Sequence, residues 1–375
     1  NKMKIFLSIL LAIVLIVGGF FAWFFLFFLN VPELSIPEGA TEQEKIEALD
    51  SWLSELEQAH KFNGAVLIAR DSKPLLMKGY GYADHQRQDR LTENSSFRLA
   101  SVSKQFTATG ILLLAEKDSL TIDDPVARHI DGFPYPEVTI RHLLNQTSGV
   151  PDVYMQLADQ HQDEFEILSN EKAVALVVAA NKPAVASPGA KFQYSNTNYI
   201  LLARIIEVVS GKSFEAFMQE ALFDPLEMTH TRVWNLFSAD KHFPGQVEDV
   251  KNFKGKMKRL EPTPIDGVAG DGAVFCSVSD FLKWDAFWYG NQLVSPELMA
   301  EARQKPVLGD GSSSDYGFGW MISDKGMWHN GSWLGAQTLI VRNTDRKTCL
   351  VVLDNSSNVF LENIIDPLRQ VFGGF

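Results

Sequence analysis

Apolar residues run without a charge from Ile5 to Leu29, broken only by Ser8, Gly18 and Gly19. About 20 such residues, rising 1.5 Å each, cross the core of a bilayer. The run outlasts the core of a cleaved signal peptide, about 7–15 residues, and its end, FFLFFLN, lacks a small-residue cleavage site. The pattern predicts an uncleaved transmembrane helix within residues 1–30. Lys2 and Lys4 precede the run, and Glu33 and Glu38 follow it. The positive-inside rule then leaves the N-terminus in the cytoplasm and the body periplasmic or extracellular.

After the run, Pro32, Pro37 and Gly39 mark residues 31–40 as a linker. Thr41 and Glu44 fit a capping box, and Ile46, Leu49, Leu53 and Leu56 follow at helical spacing. Residues 62–70 are strand-like and 75–82 return, a hairpin about a turn at 71–73. Val102, Phe106, Thr109 and Leu113 share one face of a helix predicted over Ser101–Lys117, and its second half, ILLLA, is apolar all round, as in a helix buried in a core. Residues 120–190 mix short helices and loops, and helices are expected over Tyr199–Val209 and Phe214–Leu222. Lys251 to Arg259 is a basic stretch expected as a solvated loop. Short strands are expected at 317–323, 326–329, 336–342 and 348–354, and a last helix over Asn358–Phe372. One sheet drawing on both chain ends, with a helical insertion over about 120–260, accounts for this order. The body, 41–375, is then a single large domain.

Composition narrows the function. The chain carries 46 acidic against 34 basic residues, a formal charge of -12. With Lys2 and Lys4 in the anchor, the body is more acidic still, which argues against binding nucleic acid. Two cysteines, Cys276 and Cys349, are too few for a disulfide scaffold or a cysteine zinc site, and whether they pair depends on geometry. There is no G-x-S-x-G elbow and no H-E-x-x-H. Gly211-Lys212-Ser213 lacks the earlier P-loop glycine, since Ile206 stands there, and Gly79-Tyr80-Gly81 lacks the third glycine of a dinucleotide loop.

Three short patterns carry candidate chemistry. Ser-x-x-Lys occurs at Ser101/Lys104, Ser169/Lys172 and Ser238/Lys241. Only Ser101 opens a long apolar helix, which puts Lys104 one turn away on the same face. Desolvation at such a position favours the neutral amine, which can act as a base, and the helix N-terminus favours developing negative charge. Tyr-x-Asn occurs at Tyr194-Ser195-Asn196, after a Pro188-Gly189 turn, and at Tyr289-Gly290-Asn291. A tyrosine beside a lysine can relay a proton to a leaving group. His329-Asn330-Gly331 lies between strand-like segments, where a glycine admits substrate and the next N–H can serve an oxyanion hole. Taken singly, each pattern also fits a capped helix, a turn with a half-buried tyrosine, or a plain hairpin.

Together and in this order, the three patterns resemble the motif set of the serine β-lactamase and penicillin-binding-protein superfamily. The text around Ser101, FRLASVSKQFTATGILLLAEKDSLTIDDPV, is similar to its active-site helix, and Tyr-Ser-Asn with His-Asn-Gly resembles the class C β-lactamase and DD-peptidase branch. The likeness continues through IRHLLNQTSGVPD, PGAKFQYSNTNYILLARIIEVVSGKSFEAFM, VAGDGAVFCSVSDFLKW and YGFGW. It covers about residues 45–370. It implies an α/β (α+β) fold of the β-lactamase/transpeptidase type, an antiparallel sheet flanked by helices with a helical subdomain.

The resemblance also implies roles. Ser101 is the expected nucleophile, Lys104 its base, and Tyr194 the proton relay. Asn196 is expected to hold Lys104 or the substrate amide. His329, Gly331 and Ser332 are expected along the opposite wall, and the N–H groups of Ser101 and Ser332 form the oxyanion hole. No metal or organic cofactor is required. His329 stands where many relatives carry a lysine, which points to a DD-peptidase or D-amino-acid peptidase, with slow β-lactam turnover at best. A carboxylesterase on the same scaffold, or a non-catalytic penicillin-binding-like sensor or assembly protein, remains open. Asp271 and Gly272 are expected to border the pocket or to make a turn, and Trp328 and Trp333 to shape the groove. The expected partners are a small-molecule or peptide substrate and, through residues 5–29, a membrane; the sequence points to no protein partner.

Overall fold

A computed structural model describes residues 17–19, 31–290 and 292–371. The anchor expected over residues 5–29 falls outside the described residues except for 17–19. Among the described residues no helix is long and apolar enough to cross a membrane. The 31–40 segment lies against the body: Val31 and Leu34 pack on its core, and the Trp52 indole N–H donates to the Pro32 carbonyl at 2.7 Å.

Thr41 caps the helix Glu42–Gln58 in the predicted box, its hydroxyl accepting from Glu44 N–H while the Glu44 carboxylate accepts from Thr41 N–H. That helix buries Ile46, Leu49, Trp52, Leu53 and Leu56. The hairpin follows as β1 (Gly64–Arg70) and β2 (Lys73–Tyr80). A short β3 (Phe97–Arg98) leads to the helix Lys104–Glu116. Five further helices, the longest Asn196–Ser210, fill 140–218. Beyond them the chain makes β4 (Arg232–Val233) and a hairpin of β5 (Val250–Phe253) and β6 (Lys256–Arg259). The basic stretch is therefore a two-stranded ribbon and not the loop expected. Its bases alternate with Asn252 and Met257, so the pattern of period 2 is present but diluted by lysine. β7 (Val274–Cys276), the helices Val278–Phe287 and Pro296–Ala302, β8 (Met321–Ser323), β9 (Gly326–Trp333), β10 (Ala336–Asn343), β11 (Thr348–Asp354) and the helix Leu361–Val371 complete the order.

The main sheet runs β2-β1-β11-β10-β9-β8, antiparallel throughout, with β3-β7-β4 as a second small sheet. Both chain ends thus meet at β1 and β11, as expected. Successive side chains on a strand point to opposite faces. Accordingly Val66, Ile68, Leu350 and Val352 pack under the helices Glu42–Gln58 and Leu361–Val371. Ala65, Leu67, Ala69, Val351 and Leu353 join the larger core around Lys104–Glu116. A sheet covered on both faces explains why β11 is apolar without alternation. Cys276 and Cys349 are buried free thiols.

One buried ion pair ties the sheet to its cover. The Arg342 guanidinium donates to Asp285 Oδ1 at 2.7 Å and to the Asp285 carbonyl at 2.9 Å, with side chains 1% and 0% exposed. Breaking such a pair strands a charge, whereas replacing both partners with apolar residues of similar volume is near neutral. Asp285→Ala is expected to cost about 3–5 kcal/mol and Asp285→Leu with Arg342→Met far less. Urea denaturation of the three proteins checks this, and equal losses would contradict it.

Candidate active site

Ser101 sits in a tight 3-10 turn, Ala100–Ser103, and the α-helix proper begins at Lys104. The expected helix start at Ser101 is therefore three residues early. The difference has a use. Side chains three apart eclipse in a 3-10 turn, so Lys104 stands directly over Ser101 and its Nζ lies 3.0 Å from Ser101 Oγ. Ala100 enters the turn at φ +48°, a conformation that costs a non-glycine residue energy. Its flanks hold it there: Leu99 N–H donates to Val274 O at 2.9 Å, Thr338 Oγ1 donates to Leu99 O at 2.8 Å, and Val274 N–H donates to Ser103 Oγ at 3.1 Å.

Lys104 is 0% exposed. Its Nζ donates to Asn196 Oδ1 and to the Asp271 carbonyl, each at 2.9 Å. With two N–H bonds given to these acceptors, an amine turns its remaining position to the Ser101 hydroxyl. Asn196 begins its helix, and the residues on either side of it are pinned by Gln146, whose side-chain carbonyl accepts from Ser195 N–H, and by Asp152, which accepts from Thr197 N–H and Oγ1. Tyr194 is half-exposed, with its ring centroid 5.0 Å from Lys104 Nζ.

The other copies of these patterns serve as structure. Ser169 caps the helix Asn170–Ala180 and Lys172 pairs with Glu164. Ser238 makes a turn with Asn235, and Tyr289 lies under the Arg342 guanidinium; Asn291 lies outside the described residues.

His329-Asn330-Gly331 lies within β9, not in a turn. Strand alternation decides its contacts. A Cβ on Gly331 would stand 2.4 Å from Leu99 O and 2.8 Å from Ser101 N, so β9 packs directly on the nucleophile turn. Ser101 and Ser332 line one cleft with Asn196, Asp271 and Gly272. His329, expected on the cleft wall, is not among its lining residues. It is 2% exposed, with Nε2 2.9 Å from the Tyr316 hydroxyl and Nδ1 2.6 Å from the Asn330 carbonyl. The carbonyl requires the proton on Nδ1, so Nε2 accepts from Tyr316. Burial, with nearby Lys104, lowers its pKa to about 3, so it is a neutral prop behind Tyr194, 6.2 Å away between ring centroids. Trp333 lines the cleft and donates to Asp266 Oδ1 at 2.7 Å, whereas Trp328, of opposite parity on the strand, packs on the other core.

Three contributors escaped the sequence: Gln146 and Asp152 as positioning residues, and Tyr154, which donates to Asp271 Oδ2 at 2.7 Å. Gln146 and Asp152 fall in the stretch IRHLLNQTSGVPD already noted for its likeness, and that was the only signal for them.

The residues from 49 to 369 match the family model Beta-lactamase. The chain belongs to the beta-lactamase family. It is 38% identical over 328 residues to a penicillin-binding protein of Bacillus subtilis (strain 168), covering 84% of this chain and 72% of that one. It is 26% identical over 333 residues to Protein flp of Staphylococcus aureus (strain N315), covering 84% of this chain and 64% of that longer protein. Among solved structures it resembles the octameric penicillin-binding protein homologue from Pyrococcus abyssi, with a TM-score of 0.75 at 26% identity over 88% of this chain and 78% of that one. It shares its fold with D-amino acid amidase from Ochrobactrum anthropi SV3, with a TM-score of 0.70 at 20% identity over 88% and 98% of the two chains. As a beta-lactamase-family protein it is a serine hydrolase, in line with the sequence expectation.

Two outcomes follow from this geometry. Gly331→Ala forces β9 off the Ser101 turn, and a shift of about 1 Å at such a site costs about a hundredfold in rate; acylation rates measured by stopped-flow check it. The unfolded chain binds a proton at His329 near pH 6.5 and the folded chain does not until about pH 3. This contribution is whole above about pH 6.5 and is lost as pH falls toward 3, by about 5 kcal/mol in all. His329→Asn is expected to flatten that limb in denaturation curves taken at pH 4.5 and 7.5.

Proposed function

We propose that this serine hydrolase acts by acyl transfer on peptide or amide substrates of the DD-peptidase or D-amino-acid peptidase kind. The observation that carries the reading is the Lys104 amine, buried and held by Asn196 and Asp271 O, with Ser101 Oγ at 3.0 Å. Ser101 Oγ attacks the scissile carbonyl as Lys104 takes its proton. The carbonyl oxygen becomes an oxyanion between the N–H groups of Ser101 and Ser332, both on the cleft wall. The C–N bond then breaks as the leaving amine receives a proton by way of Tyr194, leaving an ester on Ser101. Water, deprotonated through the same groups, attacks that ester and releases the acid. Asn196 orients Lys104 and the substrate amide.

Anchoring belongs to the same reading. The uncharged run from Ile5 to Leu29 behind Lys2 and Lys4 supports a body held outside the cytoplasmic membrane. The packing of Val31 and Leu34 on the body supports a short tether.

The purified full chain is expected to gain one benzylpenicillin mass in an intact-mass time course, because the opening β-lactam loses no atoms. Ser101→Ala is expected to gain none. An adduct that survives in the alanine variant would overturn the assignment of Ser101. Tyr194→Phe is expected to slow formation and breakdown of the ester by about 10²–10⁴.

A further inference from the structure

Charged side chains beside the nucleophile are unequal in number. Arg98, Asp266 and Asp271 line the cleft with Ser101. Arg98 is 6% exposed and already spent: its Nε donates to Asp249 Oδ2 at 2.7 Å, its Nη1 lies 3.4 Å from Asp266 Oδ1, and it stacks on Phe275. Asp266 is also satisfied, accepting from Trp333 Nε1, Thr263 N–H and Thr263 Oγ1. Lys104 is committed to Ser101, Asn196 and the Asp271 carbonyl. His329 is neutral and faces Tyr316. Among the described residues that line the cleft, Arg98 is therefore the one base against Asp266 and Asp271, and it is not free to grip a substrate carboxylate.

The carboxyl of Asp271 differs from the other two. Tyr154 O–H donates to Oδ2 at 2.7 Å, and among the described residues no other side chain hydrogen-bonds to it. It is only half-buried, on the cleft wall. Desolvation raises its pKa, a penalty that an opposing ligand cation would relieve.

We propose that Asp271 is a specificity residue that pairs with a protonated amine close to the scissile carbonyl. The favoured substrates are then amides and peptides whose acyl residue carries a free α-ammonium, and not chains recognised by a terminal carboxylate. The proposal rests on the acyl-transfer reading above. Tyr154 holds one carboxyl oxygen and leaves the other for the ligand, and the excess acid of the cleft adds long-range attraction for the same charge.

The test compares kcat/KM of the full chain on D- and L-alanine p-nitroanilide, their N-acetyl forms, and p-nitrophenyl acetate. The free amine is expected to be favoured over its acetylated form by tenfold or more. Asp271→Asn is expected to cut that ratio at least tenfold, with the loss in KM, and Asp271→Glu to recover part of it. A ratio near one in the unaltered protein, a measurement independent of how any variant folds, would overturn the proposal while Ser101-dependent cleavage of the neutral ester keeps the acyl-transfer reading. An unchanged ratio in Asp271→Asn would overturn it equally. Absence of any cleavage that depends on Ser101 would overturn the acyl-transfer reading, and this proposal with it.

Discussion

Everything in the site hangs on burying one amine among oxygen atoms. Lys104 has no exposure, and a lysine is almost never buried without partners. Its partners come from three parts of the chain: Ser101 in its own turn, Asn196 at a helix start, and Asp271 in a loop before β7. None can shift without leaving a buried polar group short of a hydrogen bond. The rest of the cleft is built around that requirement. Asp152 and Gln146 fix the segment bearing Asn196, and β9 closes against Leu99 and Ser101 with no room for a Cβ.

Strain and support are paired in the same place. Ala100 holds a left-handed conformation that few alanines adopt, and three hydrogen bonds from two sheets hold the residues around it. A 3-10 turn there aligns Ser101 with Lys104 more directly than an α-helical start would. The neutral His329 then supplies shape where a lysine would supply charge. It stands behind Tyr194 and takes its place in a small aromatic group with Tyr316. The electrostatic character of the cleft therefore comes from the acids at 266 and 271 and not from the third motif.

Family and fold agree with one another. The match to the Beta-lactamase model spans nearly all of the body, and the solved relatives share its fold. Both groups contain proteins named for penicillin binding, and one fold neighbour is a D-amino acid amidase. The family makes the chain a serine hydrolase; on the reading proposed above, which acyl group it takes depends on side chains such as Asp271 that a fold does not specify.

The local content of the chain was legible in its order of residues. Thr41 with Glu44, the apolar run of β1, the apolar ILLLA and the spacing inside each of the three motifs all involve residues a few positions apart, so periodicity and spacing expose them. That both chain ends share one sheet followed from the order of the strand-like segments. Other features needed the folded chain. Which of three Ser-x-x-Lys pairs has a buried lysine depends on Asn196 and Asp271, 92 and 167 positions beyond Lys104. That His329, on the same face of β9 as Gly331, is buried against Tyr316 and behind Tyr194 was hidden because those partners come from other parts of the fold. The pairing of Arg98 with Asp249 and Asp266, which removes its charge from the cleft, joins residues 151 and 168 positions apart. Sequence spacing reports only contacts made along the chain; charge balance and side-chain direction in the cleft are set by contacts made across it.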